Sequence, residues 1–257
     1  MTNMAYQKKI PITSGTSTTA PLDWRNDANE VECLGSGGNG TTVWDSGSSL
    51  YGGFAGAGGA YASSANITVA QGSSVTIKIG ASTSSGSYQA SANTCFNGST
   101  LGACSVGAQG GQGAGGNGGL ASNSVGTIKF NGGNGGNGGT GSHGTASGGG
   151  GSAGPNGAGS NGTSNAGDNA TTSGAAADNS TVSGGNSSSN GNSGTEFDGS
   201  HGCGSGGGAS AGFGGNGGNY GGGAGAQSAF HALQAGTGAP GLLVLSYIPL
   251  NTQAILI

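Results

Sequence analysis

The sequence contains few charged residues and little proline. Only 5% of its 257 residues are charged, with five Lys or Arg against nine Asp or Glu, which gives a formal net charge of −4. Charge repulsion therefore does not hold the chain extended, and no clustered positive charge is present to bind a phosphate backbone. With five prolines and no sustained Gly-X-Y repeat, a collagen triple helix is poorly supported as well.

Large hydrophobic residues and long apolar runs are also scarce. Leu, Ile, Val and Phe make up 34 of the 257 residues, about 13%, which is less than the roughly 20% below which an ordinary side-chain core becomes doubtful. No apolar run reaches the length of a membrane span. Lys8, Lys9 and Pro11 interrupt the only stretch after Met1 that could form a signal-peptide core. We therefore expect a soluble protein without a recognisable export signal.

Cysteine is rare and widely spaced. Cys33, Cys95, Cys104 and Cys203 form no Cys-x-x-Cys pair, so their spacing does not favour a zinc site. Cys95 and Cys104 could form a disulfide across a local loop, whereas buried free thiols are the simpler interpretation. The sequence thus predicts no metal site and leaves one disulfide open.

Strand patterns occur towards both ends of the chain. Residues 30–34 and 127–130 each predict a short strand, and the apolar segment 241–248, which Pro249 ends, predicts a closing strand packed on the N-terminal sheet. Two hairpins are predicted in addition: one joins 66–69 to 75–79, and the other joins 94–96 to 99–101 through an Asn97–Gly98 type I′ turn.

Glycine, by contrast, is abundant, with 65 residues. A Gly-Gly-Asn pattern of period three runs from Asn131 to Thr140, recurs at 213–219, and begins in a shorter form at 109–112. Three residues per turn is the period of a polyproline-II helix, which has no internal hydrogen bonds. Two glycines per turn leave bare ridges, so several such segments could pack through backbone hydrogen bonds into a lattice with weak Cα–H contacts added.

A flexible Gly/Ser/Asn linker is the alternative for these repeats, and it is the preferred interpretation for residues 156–194. The predicted fold is mainly β and irregular: a small antiparallel sheet plus packed polyglycine-II-like (PPII) helices, with no substantial α-helix. We divide the chain into an extended N-terminal attachment segment, 1–20, and a single glycine-rich domain, 21–257. Within this domain we expect β-hairpins in 21–130, the lattice and its loops in 131–240, and the closing strand in 241–248.

Short motifs spread over nearly the whole chain carry a family resemblance. They are the stretch Leu22-Asp-Trp-Arg-Asn-Asp-Ala-Asn-Glu-Val-Glu-Cys-Leu-Gly-Ser-Gly-Gly-Asn-Gly40 and the segments 58–62, 66–80, 96–101, 105–111 and 241–245. Together they resemble the glycine-rich domain of tailed-bacteriophage tail and fibre proteins. The resemblance implies stacked glycine-rich helices that present variable loops at a distal end. It implies no catalytic residues and no cofactor.

These observations lead us to expect a non-enzymatic virion protein of the tail fibre or tail tip that contributes to host receptor binding. Its expected partners are other tail or fibre proteins, contacted through residues 1–20, and a host surface glycan or outer-membrane protein. No nucleic acid partner is expected, and a homo-oligomer is compatible with the sequence. The alternatives are a purely structural decoration or collar protein, a glycine-rich ice-binding protein with a flat Thr or Ala face, and a capsule depolymerase, which the lack of a carboxylate-rich cleft pattern disfavours.

Residues 155–201 form the longest stretch without a strand pattern, and loops on a rigid scaffold commonly carry recognition. Their cluster of charged, aromatic and imidazole groups, together with an aromatic residue that interrupts the last repeat, predicts a receptor-binding surface made of Glu196, Phe197, Asp198, His201 and Tyr220. No catalytic residues are predicted, because His143, His201 and His231 lack a nucleophile elbow or a triad context.

Overall fold

The computed structural model describes residues 7–42, 44–45, 50–51, 53–84, 86–141, 145–164, 172–186, 189–210, 213–227 and 235–250. These residues form a mainly β structure, as the sequence predicts. Helical structure among them consists of two short 3-10 turns, Ala90–Ala92 and Ala121–Asn123. Over these ranges no helix is long and apolar enough to cross a membrane.

Short strands occur throughout the described residues. In chain order they are β1 (Lys8–Ile12), β2 (Ser17–Thr19), β3 (Asn29–Leu34), β4 (Trp44–Asp45), β5 (Leu50–Tyr51), β6 (Tyr61–Ala65), β7 (Ser74–Lys78), β8 (Thr94–Phe96), β9 (Val106–Ala108), β10 (Ile128–Phe130), β11 (Thr140–Gly141) and β12 (Leu242–Tyr247). They form a five-stranded sheet of order β1-β12-β3-β6-β10, a four-stranded sheet of order β2-β7-β8-β9 and a three-stranded ladder of order β11-β5-β4. All the pairings are antiparallel.

The C-terminal strand β12 confirms the predicted closing strand. It lies between β1 and β3, with Leu243 opposite Cys33 and Leu245 opposite Val31. All six of its residues are buried. Burial of each Leu or Val side chain contributes roughly 1.5–3 kcal/mol to stability. Strand β12 therefore holds the C-terminal region stably against the N-terminal strands β1 and β3.

The two faces of β12 pack against different parts of the molecule. Leu243 and Leu245 belong to a cluster that includes Ile77 of β7 and Phe96 of β8, so the four-stranded sheet covers one face. Leu242 and Val244 face a second cluster, whose members from the glycine-rich body are Ala153, Ala177, Phe197 and Cys203. The five-stranded sheet is therefore sandwiched between a conventional side-chain core and the glycine-rich region.

The hairpin predicted between 66–69 and 75–79 is wrong. Strand β7 forms, but it pairs with β2 and β8, whereas residues 66–69 connect the two main sheets. The N–H groups of Ile67 and Val69 donate to the side-chain oxygens of Asn29 and Asn26 at 2.8 and 3.0 Å, in place of a neighbouring strand. Ile67 and Val69 still pack against the core, so the alternation reflected one-sided burial without strand pairing.

The hairpin predicted across Asn97–Gly98 is correct in its first strand only. β8 pairs with β9, with Phe96 opposite Val106, so residues 99–101 lie in a longer loop. Asn97 has the expected positive φ of 57°. The Gly98 N–H, however, donates to Thr76 O at 3.1 Å, so the turn is anchored on the neighbouring strand β7.

The N-terminal segment also needs a correction. Residues 8–12 and 17–19 are strands of the domain, because β1 pairs with β12 and β2 pairs with β7. They are extended, as predicted, but they are not a separate arm. Residues 1–6 of the predicted attachment segment lie outside the described residues. Pro11 is accommodated because β1 is an edge strand, where a missing backbone donor is tolerated.

The segment 148–153 shows how the glycine-rich body is held together. Its N–H groups point in three directions that repeat every third residue, with N···O distances of 2.9–3.1 Å. The donor–acceptor pairs are Gly148 with Thr163 and Gly151 with Ser160, then Gly149 with Gly207 and Ser152 with Gly204, then Gly150 with Gly56 and Ala153 with Gly59. Three neighbouring segments therefore accept hydrogen bonds from this one.

Three further segments donate to the carbonyls of 148–153. The pairs are Gly136 with Gly148 and Gly133 with Gly151, then Ala175 with Gly149 and Asp178 with Ser152, and Gly223 with Gly150. Segment 148–153 is thus surrounded by six others. Outward hydrogen bonds of period three are what packed polyglycine-II-like helices require, because such helices bond only to their neighbours. The helical conformation itself stays a prediction.

Close backbone approach explains why glycine dominates here. A Cβ added at Gly151 would lie 2.0 Å from Ala176 O, and one at Gly150 would lie 2.2 Å from Gly133 O. No side chain fits at such distances, so the segments would have to move apart and lose their hydrogen bonds. The stabilising interactions of this region are those of the backbone, at about 0.5–1.5 kcal/mol for each net hydrogen bond.

The flexible linker expected for 156–194 is wrong over its described part, 156–164, 172–186 and 189–194. Gly174 donates to Gly185 O at 2.8 Å, and Gly191 donates to Asn216 O at 2.8 Å. These residues have a linker's composition, but neighbouring segments supply partners for their backbone groups. Residues 165–171 and 187–188 lie outside the described ranges.

Candidate functional site

The loop between Gly194 and Cys203 carries most of the predicted receptor-binding residues. It is closed by its own backbone, because the N–H groups of Phe197 and Asp198 both donate to His201 O, at 3.1 and 3.3 Å. The Asp198 carboxylate accepts from the N–H groups of Ser200 and His201, at 2.7 Å each. An aspartate that binds backbone groups two and three residues ahead is a common way to fix a turn.

Asp198 and His201 of this loop come together with Tyr220, which follows the 213–219 repeat. His201 Nδ1 lies 2.9 Å from the Asp198 carboxylate, and the rings of His201 and Tyr220 are stacked with centroids 5.7 Å apart and an interplanar angle of 14°. The side chains of His201 and Asp198 are 25% and 36% exposed. These three residues, which we call the His201 cluster, present a partly exposed pair of stacked rings with an ordered carboxylate beside them.

The electrostatics of the His201 cluster follow from these contacts. Hydrogen bonds from the Ser200 N–H, and then from the side chain and N–H of His201, lower the pKa of Asp198. Partial burial raises the pKa of Tyr220, and the Asp198 charge adds to that shift. At neutral pH the cluster therefore holds an ionised carboxylate beside a neutral phenol.

The cluster lacks a recognisable catalytic partner among the described residues. An Asp–His pair supplies two of the three groups of a hydrolase triad, but within the described part of the chain no hydroxyl or thiol is hydrogen-bonded to the His201 ring. No group of three His, Cys, Asp or Glu residues that could hold a metal ion occurs in those ranges either. His143 and His231 lie outside the described residues.

Phe197 does not belong to a receptor-binding surface, which corrects the prediction. Its side chain is only 4% exposed and packs in the cluster that also contains Tyr61, Leu242 and Val244. An apolar ring next to a sheet face gains more from burial than from exposure. Phe197 instead anchors the loop that carries Asp198 and His201 to the five-stranded sheet.

Glu196 is also directed inward in part. Its Oε2 atom accepts the Cys203 N–H at 2.8 Å, and its side chain lies against Gly194 and Gly202. This carboxylate thus satisfies a backbone donor where the chain enters the buried segment 202–209. Of the five predicted residues, three form the partly exposed His201 cluster and two lie beneath it.

The four cysteines are free thiols in this structure, so the Cys95–Cys104 disulfide is not formed. The two residues are nevertheless adjacent: a hydrogen bond to Cys104, together with burial, raises the pKa of Cys95, and the same bond lowers the pKa of Cys104. Cys33 and Cys203 are buried, and burial raises the pKa of each. The simpler interpretation, mostly buried thiols, describes this arrangement.

Asparagine side chains at the edges of the lattice are a feature that the sequence reasoning missed. Asn216 N–H donates to Asn190 Oδ1 at 2.9 Å, and Thr237 N–H donates to Asn216 Oδ1 at 2.9 Å. The same arrangement links Asn134 to Asn161 across 27 positions of the chain. The signal that could have indicated it is the asparagine at every third position of the repeat. At the edge of the lattice these side chains accept backbone hydrogen bonds that a neighbouring segment accepts elsewhere. Asparagines of this kind line two grooves, of about 350 and 500 Å³.

Comparison with known proteins does not assign the chain to a family. No protein-family model matches it, and no curated protein matches it.

Proposed function

We propose that this chain is a non-enzymatic structural protein of a phage tail fibre or tail tip, exposed on the virion, where it contributes to binding of a host surface glycan or outer-membrane protein. The sequence resemblance to glycine-rich tail and fibre domains supports the virion role. The observation that carries the binding role is the His201 cluster, a partly exposed pair of stacked rings in which His201 lies on a loop anchored by Phe197. A rigid support lowers the entropy lost when such a loop binds a partner.

The chemistry of the His201 cluster suits a carbohydrate or a polar protein loop. Aromatic faces pack on the apolar face of a sugar or on a side chain, while the ordered Asp198 carboxylate can accept hydrogen bonds from hydroxyl or amide groups. The N-terminal region attaches the chain to another tail or fibre protein in this proposal. There β1 is at the edge of the five-stranded sheet, and an edge strand can pair with a further strand.

Competition for adsorption tests this proposal. The purified chain should reduce adsorption of particles that carry it to their host cells, and His201→Ala should reduce that competition about tenfold, since loss of a central contact typically costs more than 1 kcal/mol. Asp198→Asn, which keeps an oxygen for the backbone N–H groups, should have a smaller effect in the same direction. Tyr88→Ala is the matched control, because Tyr88 is an aromatic residue that is 44% exposed on a different loop.

Each other outcome has a definite meaning. If His201→Ala competes as well as the intact chain while thermal denaturation shows the same stability, the receptor-binding surface is elsewhere. If the intact chain itself does not compete, the protein is a structural decoration or collar component. Antibody labelling of intact particles would then locate it.

A further inference from the structure

A groove of about 500 Å³ lies between three segments of the glycine-rich body, well separated in sequence from the His201 cluster. The residues that line it are Asn117, Leu120, Asn131, Gly132, Asn134, Ala158, Gly159 and Asn161. Its four asparagines are all exposed. We call it the asparagine groove, and the hydrogen bonds of its side chains show what it can bind.

The side-chain oxygens of three of these asparagines are already engaged. Asn131 Oδ1 accepts the Ala121 N–H at 2.7 Å, Asn134 Oδ1 accepts the Gly118 N–H at 2.8 Å, and Asn161 Oδ1 accepts the Asn134 N–H at 2.9 Å. These bonds fix the orientation of each amide. They also occupy the backbone N–H groups of Gly118, Ala121 and Asn134. A further extended segment could extend the lattice here only if those N–H groups were free to bond to it.

The Nδ2 groups of the same three asparagines have no hydrogen-bond partner among the described residues. Each amide therefore offers two N–H donors in a fixed direction. None of the described residues lining the groove is charged, and Leu120, which is 39% exposed, and Ala158 add an apolar wall. The groove thus combines preorganised neutral donors with apolar surface.

We propose that the asparagine groove is a binding site for a neutral saccharide. Hydroxyl and acetamido oxygens are acceptors for the amide donors, and the apolar face of a sugar ring fits against Leu120 and Ala158. An anionic ligand would find no cation among the described lining residues to offset its desolvation. A peptide that added to the lattice would find the backbone donors of Gly118, Ala121 and Asn134 already bonded.

This inference goes beyond the proposed function, because it concerns another surface and holds whether or not the chain is part of a virion. The test is a nuclear magnetic resonance titration of the uniformly ¹⁵N-labelled full chain with three neutral probes, chitotetraose, maltotetraose and mannotetraose. At least one probe should shift the side-chain NH₂ signals of Asn131, Asn134 and Asn161 saturably. These signals report the groove directly, independently of any adsorption assay.

The informative variants are Asn134→Asp and Asn161→Asp. A carboxylate oxygen can still accept the Gly118 or Asn134 N–H, but the two outward donors are lost, so binding should weaken about tenfold for each variant. Leu120→Ser removes the larger part of the apolar wall without touching a lattice hydrogen bond and should also weaken binding. Asn97→Asp is the control: it makes the same charge change at an exposed loop residue outside the groove and should bind as the intact chain does.

Three results would overturn the proposal. The first is that none of the three saccharides shifts the groove signals saturably. The second is that Asn134→Asp and Asn161→Asp bind as well as Asn97→Asp while remaining folded. The third is that a glycine-rich peptide shifts these signals and the saccharides do not, which would make the groove a site for an additional extended chain.

Discussion

At the scale of single residues, Glu32 is a buried carboxylate whose environment disfavours its charge. It lies on β3, is 6% exposed, and its Oε1 atom accepts a hydrogen bond from the Tyr61 hydroxyl at 2.7 Å. Burial raises the pKa of Glu32 more than the Tyr61 hydrogen bond lowers it. The folded state therefore holds this proton more tightly than the unfolded state does. The stability that this group contributes is fully present below the pKa of an unfolded glutamate and is lost as the pH rises through the higher folded-state pKa.

Replacing Glu32 by Gln should therefore stabilise the protein at neutral pH. Gln keeps an oxygen for the Tyr61 hydroxyl but carries no charge, and we expect a gain of about 1 kcal/mol in the free energy of unfolding. Urea denaturation at a series of pH values should show no gain below the pKa of an unfolded glutamate and a growing gain above it. A gain that is the same at every pH would contradict this account of Glu32. The matched variant Tyr61→Phe should destabilise at neutral pH, because it leaves the buried carboxylate without its donor.

The residues of the candidate site show what sequence alone can and cannot predict. The composition of residues 196–201 indicated a cluster of unusual side chains, and the structure does bring Asp198 and His201 together with Tyr220. It did not indicate that Phe197 is buried. In a strand or a helix a period tells which side chains face the core, but an irregular loop has no period. The direction of Phe197 depends on the sheet beneath it.

At the scale of elements, the Gly-Gly-Asn repeat assigns different roles to neighbouring positions. A Cβ added at Gly135 would lie 2.2 Å from Ala55 O, whereas Asn134 is exposed and its side chain accepts the Gly118 N–H. Gly135→Val should therefore lower the free energy of unfolding by about 3 kcal/mol or more, because it forces packed backbones apart. Asn134→Ser should cost about 1 kcal/mol, the value of one hydrogen bond.

Chemical denaturation of the two variants measures this difference. Gly102→Val is the control, because a Cβ at Gly102 has no atom within 4 Å and the change should be close to neutral. Equal losses for Gly135→Val and Gly102→Val would mean that the close approach at Gly135 does not contribute to stability.

The predicted strands formed where buried apolar residues recur along the chain. The prediction was wrong where side chains, in place of a neighbouring strand, accept the backbone hydrogen bonds. β3 was predicted from Val31 and Cys33 alternating with Glu30 and Glu32, and β12 from a run of apolar residues. Both strands are nearly fully buried. Residues 66–69 alternate in the same way, but Asn26 and Asn29 take their backbone donors. A pattern of burial does not specify the hydrogen-bond partner, which explains why the hairpins were only partly correct.

At the scale of the whole molecule, the lattice and the five-stranded sheet form one packed structure. Ala153 ends the central segment 148–153 and packs in the same cluster as Leu242 and Val244 of β12. Composition could not reveal this, because a Gly/Ser/Asn linker and a lattice segment have the same residues and differ only in whether neighbours complete their hydrogen bonds. The linker interpretation of 156–194 failed over the described part of that range for this reason.

Removal of residues 156–194 therefore distinguishes a linker from a lattice. The deletion takes away Ser160 and Thr163, which accept from segment 148–153, and Ala175 and Asp178, which donate to it. Loss of these four hydrogen bonds should destabilise the protein by several kcal/mol, at about 1 kcal/mol each. In the intact chain, amide hydrogen exchange of 148–153 should be as slow as that of β3. In the deleted chain it should be much faster, or the chain should not fold. Rapid exchange throughout 148–153 in the intact protein would contradict the lattice, and unchanged slow exchange after the deletion would show that 156–194 is a dispensable loop.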